Sequence, residues 1–358
     1  MTRRRLVLVL LAGALAALAI GVAARPGTAA PALSASTVSQ GIRFFEARWS
    51  ADPLDYLAAG QLARRYAERF GLEARLTDLH LAEAASRTAA ALSPDQSPSL
   101  ARLSSVLLMQ HKFAPAAEAA RQAVAVDSTD AEALGALADA ALAAGDYPEA
   151  HRALRRLEPG KVATLSRWAG YLEEHGRWDE ALPLRERICR ALDRSRASSL
   201  SRAWCLTQWG RTALAGGRAD PARALFGRAL EVQPDYRGAL EGLADLALAA
   251  GRDAAARTLY LRIATDAHPD LYLRLAGLAA REGQPEERDT WRARFAAAAL
   301  DGEHEALYGP AIVQYYLDLG RNDSALAVAR REFTRRPTLA SRALLNQVTR
   351  VAGSARDG

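Results

Sequence analysis

A glycine followed five positions later by an alanine, and four positions after that by an apolar residue, returns along this chain at a spacing of about 34 residues. The fullest copy runs from Gly217 to Pro234, with Ala222, Phe226, Ala229 and Pro234 in register and Trp209-Gly210 upstream. Gly145/Ala150/Leu154, Gly176/Ala181 and Gly251/Ala256/Tyr260 repeat it. A period of this length marks small supersecondary units that cannot bury an apolar face alone and become stable by stacking. Small residues then stand where two helices cross closely, and large ones fill the gaps between pairs.

Composition agrees with helices throughout. Ala, Leu and Arg dominate, and all three are good helix formers. No run of alternating β-branched residues suggests a strand. The net charge is +6, but Arg3, Arg4 and Arg5 contribute half of it, and the remaining charges of both signs are interspersed. A nucleic-acid binder concentrates positive charge on one face with aromatics beside it. Pairs such as Arg155-Arg156 and Arg330-Arg331 read instead as solvated helix surface, so nucleic acid is not expected as a partner.

The N-terminus reads as an address. Arg3-Arg4-Arg5 precede an uncharged stretch, Leu6 to Ala24, as in an export signal, and Val22-Ala23-Ala24 offers the small residues a signal peptidase needs. At 19 residues the stretch also approaches the length of a membrane span. Residues 1–24 are therefore a cleaved signal or a retained single anchor, and both alternatives stay open. In either case the arginines keep the N-terminus inside and the rest is expected outside the cytoplasmic membrane, periplasmic, secreted or anchored. Residues 25–37 read as a flexible linker, 38–353 as the repeat domain and 354–358 as a tail. A helix is expected from near Val38, with Ile42, Phe45 and Trp49 partly on one face.

The pattern resembles the tetratricopeptide repeat family over about residues 52 to 353. The resemblance implies an all-α, right-handed solenoid of about eight antiparallel helix pairs closed by a capping helix over 338–352. Taking the first alanine of each second helix as a marker gives Ala82, Ala116, Ala150, Ala181, Ala222, Ala256, Arg288 and Ala325. Departures from the common gap are expected in loops: about ten extra residues at Phe70 to Leu79, and a long segment at Arg190 to Trp204. The seventh unit is degenerate, since Arg288 replaces the small residue and Pro285 interrupts, so a looser crossing is expected there.

Cys189 is expected at the end of the fourth unit's second helix and Cys205 at the start of the next helix. In an oxidising compartment they are placed to form a disulfide that clips the long segment. Two buried, unpaired thiols are the alternative.

The sequence offers little chemistry. It has no His-Glu-x-x-His, Cys-x-x-Cys or Gly-x-Ser-x-Gly, and Gly160-Lys161 lacks the rest of a phosphate loop. Glu303-His304-Glu305 has metal-binding residue types but reads as a polar connection. No enzyme activity, cofactor or metal is expected.

In the family, the first helix of each pair lines a concave groove. The register places Glu132, Asp139, Glu173, Trp204, Thr207, Arg211, Glu241, Asp245, Asp270 and Arg281 there. Members that clamp a terminal carboxylate use Lys and Asn, which are absent at these positions. An acidic lean in the middle points to a partner with basic or neutral segments. Trp204 is the candidate anchor, or else an aromatic cap over the inserted segment. The acids have the alternative of ordinary solvation. The resemblance thus implies a non-catalytic protein-binding scaffold or assembly factor of the cell envelope. A structural part of an envelope secretion or polysaccharide-export machine, or an enzyme with an unrecognised hydrolytic or metal site, are the alternatives.

Overall fold

A computed structural model describes residues 35–73, 75–265, 268–300 and 305–354. The expected signal or anchor and most of the expected linker lie outside these residues. Every regular element among the described residues is an α-helix, eighteen in all. They fall into two compact units, one up to Tyr171 and one from Leu172 onward.

In the first unit α1 (Ala35–Ala51) precedes three pairs: α2 (Tyr56–Glu73) with α3 (Leu76–Leu92), α4 (Ser97–Met109) with α5 (Phe113–Val126), and α6 (Ala131–Ala144) with α7 (Tyr147–Arg156). The chain passes into the second unit within α8 (Val162–Glu174). There follow α9 (Trp178–Arg194), α10 (Ser199–Ala215) with α11 (Ala219–Val232), and α12 (Arg237–Ala249) with α13 (Asp253–Ile263). The array ends with α14 (Asp270–Arg281) and α15 (Pro285–Ala299), α16 (Glu305–Asp318) and α17 (Asn322–Arg335), and α18 (Leu339–Ser354).

The repeated Gly-to-Ala spacing has a backbone cause. Gly145, Gly176, Gly217, Gly251, Gly283 and Gly320 all have positive φ, between 69° and 80°. Each ends a helix in the left-handed conformation that lets the next N–H reach back five residues. Asp146 so donates to Ala141, Arg177 to Leu172, Arg218 to Ala213, Arg252 to Ala247, Gln284 to Ala279 and Arg321 to Tyr316, at 2.8–2.9 Å. That same residue opens the next helix, and its carbonyl accepts from the N–H four positions on. In five of these turns the acceptor's partner is the marker alanine: Ala150, Ala181, Ala222, Ala256 and Ala325, each fully buried. The turn between α4 and α5 has the same bonds, with His111 at φ 56° in the glycine's place.

Each unit has its own core. In the first, Leu103, Leu107, Phe113, Leu134 and Leu154 pack among the alanines of α4 to α7. Val38 and Ile42 of α1 are buried against Leu62 and Tyr66, with Phe45 and Trp49 beside them. In the second, Phe226, Tyr260 and Phe295 are fully buried centres of successive layers. The last helix, α18, adds Val348 and Ala352 to the layer that holds Phe295.

Three local expectations are corrected. The extra residues near 70–79 lengthen α2 and α3 to 18 and 17 residues, leaving only a short link between them. The segment 190–204 likewise prolongs α9 and α10 to 17 residues each, with only 195–198 between them. Stretches rich in Leu, Ala and Arg extend a helix at little cost, so the insertions become turns of helix. Cys189 and Cys205 therefore lie inside helices, with Cα atoms 5.6 Å apart and their sulfurs bonded. Pro285, third, opens α15 and does not interrupt it, since the first turn needs no N–H. Arg288 pairs there with Asp289, and only Phe295 and Ala299 of α15 are buried, against four residues of α11.

Candidate functional site

The polar residues of the first helices bond mainly to the first helix of the next pair. In the first unit, buried Asp139 on α6 receives the Arg167 guanidinium of α8 through Nε at 3.0 and 3.1 Å. Gly135, one turn before Asp139, is the slot: a Cβ there would stand 2.6 Å from Arg167 Cζ. Burial pushes the Asp139 carboxyl up from the ordinary carboxylate range, against the pull of Arg167. Glu132, at the exposed start of α6, feels the charge of Arg102 on α4.

The second unit brings most of the other residues together. Glu173 accepts two hydrogen bonds from Arg185, at 2.8 and 2.7 Å, and one from Thr212 on α10 at 2.5 Å. Arg211 on α10 donates to Glu241 on α12 at 3.1 Å, and Arg237 approaches the same oxygen at 3.4 Å. Burial opposes the charge on Glu241, yet Arg211, Arg237 and Arg274 together hold its carboxyl below the usual range. One turn on, Asp245 accepts from the Tyr260 hydroxyl at 2.5 Å and pairs with Arg274 on α14 at 2.8 Å. Burial and the charge of Glu241 push the Asp245 carboxyl up. Asp270, which opens α14, is raised by burial and by Glu241. His268 is pushed down to about 4 by burial and by Arg237, so it is neutral at physiological pH.

Trp204 and Thr207 lie one turn apart on α10. Thr207 is buried, its methyl 3.2 Å from where a Cβ on Gly238 of α12 would be. Trp204 is half-buried. The Trp204 Nε1 and Thr207 Oγ1 atoms are both buried without a hydrogen-bond partner. Arg281 stands apart: it is exposed at the end of α14 and bonds Asp253 of α13 at 3.0 Å.

The arrangement changes the electrostatic reading. Glu241 is held by two arginines and Asp245 by a third, so the acidic lean is compensated by residues that the groove register left out: Arg237 and Arg274. Arg167 and Arg185 play the same part for Asp139 and Glu173. A signal for several of them was present, an opposite charge one repeat along at separations of 28 for Asp139 and Arg167 and 30 for Arg211 and Glu241.

Elsewhere, a cleft between α9, α10 and α11 is lined by Leu182, Pro183, Trp209, Pro221, Leu225 and the Asp179–Arg218 ion pair. Among the described residues no three His, Cys, Asp or Glu side chains converge as for a metal ion. Glu303 and His304 lie outside them, and Glu305 is taken by Arg331, with two contacts of 2.8 Å. Among the same residues no helix is long and apolar enough to cross a membrane.

The tetratricopeptide repeat profile matches residues 102–161, in the first unit, and 207–272, in the second. No curated protein matches the chain. Among solved structures, a human IFIT1 dimer with PPP-AAAA is similar at 12% identity and TM-score 0.54, over 88% of this chain and 78% of that one. A tetratricopeptide repeat protein from Parabacteroides merdae is 17% identical, with TM-score 0.49, over 69% of this chain and 98% of its own. PilF of Pseudomonas aeruginosa is 17% identical, with TM-score 0.34, over 72% and 97%. The first of these likenesses is one of fold: stacked helix pairs.

Proposed function

We propose that this chain is a non-catalytic scaffold that holds a protein partner against the first helices of its pairs, and that it works outside the cytoplasmic membrane. The observation that carries the reading is the tetratricopeptide repeat at residues 102–161 and 207–272, a unit that generally serves protein–protein interaction. Glu132, Asp139, Glu173, Trp204, Thr207, Arg211, Glu241, Asp245 and Asp270 all belong to first helices, and Trp204 is the anchor candidate. The ion pairs that Asp139, Glu173, Glu241 and Asp245 make with Arg167, Arg185, Arg211, Arg237 and Arg274 set the shape of the surface and leave its net charge small, so the partner is recognised by fit and by single open charges.

Export is supported by Arg3-Arg4-Arg5 with Leu6 to Ala24, and by a disulfide that persists only where the surroundings are oxidising. The test is crosslinking in the native host, then capture of a C-terminally tagged chain and mass spectrometry of what is bound. One reproducible protein of the cell envelope is the expected result. Recovery of the chain alone would remove the scaffold reading.

A further inference from the structure

Three glycines of the first unit stand against an arginine side chain, Gly41 against Arg65, Gly60 against Arg102 and Gly135 against Arg167. In the last two the arginine comes from the first helix of the next pair, and one of these two slots is incomplete. In the complete slot, Gly135 on α6 makes room for the Arg167 guanidinium, and Asp139, four residues after the glycine, accepts it. In the other, Gly60 on α2 makes room for Arg102 of the next first helix, α4: a Cβ on Gly60 would stand 2.7 Å from Arg102 Nη1. Four residues after Gly60, where the carboxylate belongs, stands Arg64. The interval from glycine to arginine is ten residues longer, as the lengthened first pair requires.

Arg102 is left half-buried with no hydrogen bond among the described residues, although a guanidinium carries five donors. Burial lowers its pKa, and Arg64 acts in the same direction. Glu132 is the compensating charge, from the exposed start of α6, but makes no hydrogen bond with it. Arg64 is half-exposed and held loosely, by Gln61 at 3.2 Å and Glu68 at 3.6 Å. Arg64 and Arg102 thus stand at the register positions that hold a carboxylate and a guanidinium in the other slot, near enough to feel each other's charge, and Glu132 feels both.

We infer that Arg64 and Arg102 bind a carboxylate side chain, Asp or Glu, from an acidic internal segment of the partner protein. The template is Asp139 on Arg167, a side-chain carboxylate met by guanidinium N–H groups; such charge-assisted pairs are among the stronger hydrogen bonds. This reverses the sign of the partner suggested by the acids of the sequence. It rests on the scaffold reading, and it fails separately: a protein partner captured in the host without recognition of acidic peptide removes the inference and leaves the reading standing.

The experiment uses the whole chain and a fluorescein-labelled hexaglutamate peptide with an amidated C-terminus, followed by anisotropy at low salt. Binding is expected, with at least a tenfold loss in Arg102→Gln. Arg64→Asp restores the missing carboxylate within the chain, so it is expected to abolish binding while raising the melting temperature. That rise separates a filled slot from a damaged fold. No binding by the wild-type chain, or equal binding by Arg64→Asp, would overturn the inference. So would equal binding of a hexaglutamine peptide with a free C-terminus, which would assign the site to terminal carboxylates.

Discussion

The ring of Phe226 occupies the space that a side chain on Gly242 would need: a Cβ built there would lie 2.4 Å from Cζ. Gly210 meets the same ring from α10, with a Cβ position 2.6 Å from Cε1. One aromatic of α11 is thus seated between two helices that lack a Cβ at the crossing. Gly242→Ala would gain helix propensity of about 1 kcal/mol on an open helix. Here it should instead destabilise the protein by about 1–3 kcal/mol, because overpacking a filled core forces side chains off their rotamers. Denaturant unfolding is the measurement, and Phe226→Leu added to Gly242→Ala should recover part of the loss.

Asp245 is a structural charge before it is a contact for any partner. Replacing it by Asn removes the carboxylate that pairs directly with the largely buried Arg274 guanidinium, leaving it only the longer-range charges of Glu241 and Asp270, and weakens the bond from Tyr260. Breaking a buried ion pair in this way costs about 3–5 kcal/mol, whereas Tyr260→Phe, which removes one hydrogen bond, should cost nearer 1 kcal/mol. Reversing the charges of Asp245 and Glu241 to test a groove, which the sequence invites, would therefore unfold this region. Arg211 and Arg237 would face two new cations. Equal melting temperatures for Asp245→Asn and Tyr260→Phe would show that the pair carries no such weight.

The layout of the fold was legible in the sequence because its punctuation is local. Gly217 and Ala222 mark a turn whose geometry depends on a positive φ and one backbone hydrogen bond, and both repeat. The insertions were misplaced because propensity does not tell a lengthened helix from a loop: Arg190 to Arg194 and Ser199 to Trp204 simply continue their helices. The candidate site was legible in its acids and not in its arginines. The same register that selects Asp245 puts Arg274 one repeat on, but only the packed pair reveals that one satisfies the other. Nothing in the local sequence announces that Arg64 stands in the place of an aspartate.

His268 gives the second unit a calculable pH dependence. In the unfolded chain a histidine takes up its proton near pH 6.5, and in the folded chain His268 does so at about 4. Between these values the unfolded chain binds more protons at this residue, so stability falls as pH drops from about 6.5 toward about 4 and is unaffected by it above that window. Asp245 and Asp270, whose carboxyls are raised, act in the opposite sense. Thermal melts of the wild type and His268→Asn isolate the histidine, and the variant should lose less stability between pH 7 and pH 5. Parallel melting curves across that range would contradict the burial of a neutral imidazole.

The bond between Cys189 and Cys205 joins α9 to α10 across a sequence separation of 16. A closed loop of about 15 residues stabilises by about 3 kcal/mol in the chain-entropy view. Protein taken from the host into acid and denatured should show no free thiol until it is reduced, and reduction should lower the melting temperature. Two free thiols in the unreduced sample would count against both the clip and an oxidising compartment.

The central claim is that a protein partner lies against the first helices. Its most direct test replaces Trp204 by a photo-crosslinking phenylalanine derivative in the native host, with the same replacement of Leu261, which is 49% exposed on the second helix α13, as the comparison. A discrete protein adduct from position 204 and none from 261 is the expected result. No adduct from position 204, or the same adducts from both, would contradict the account.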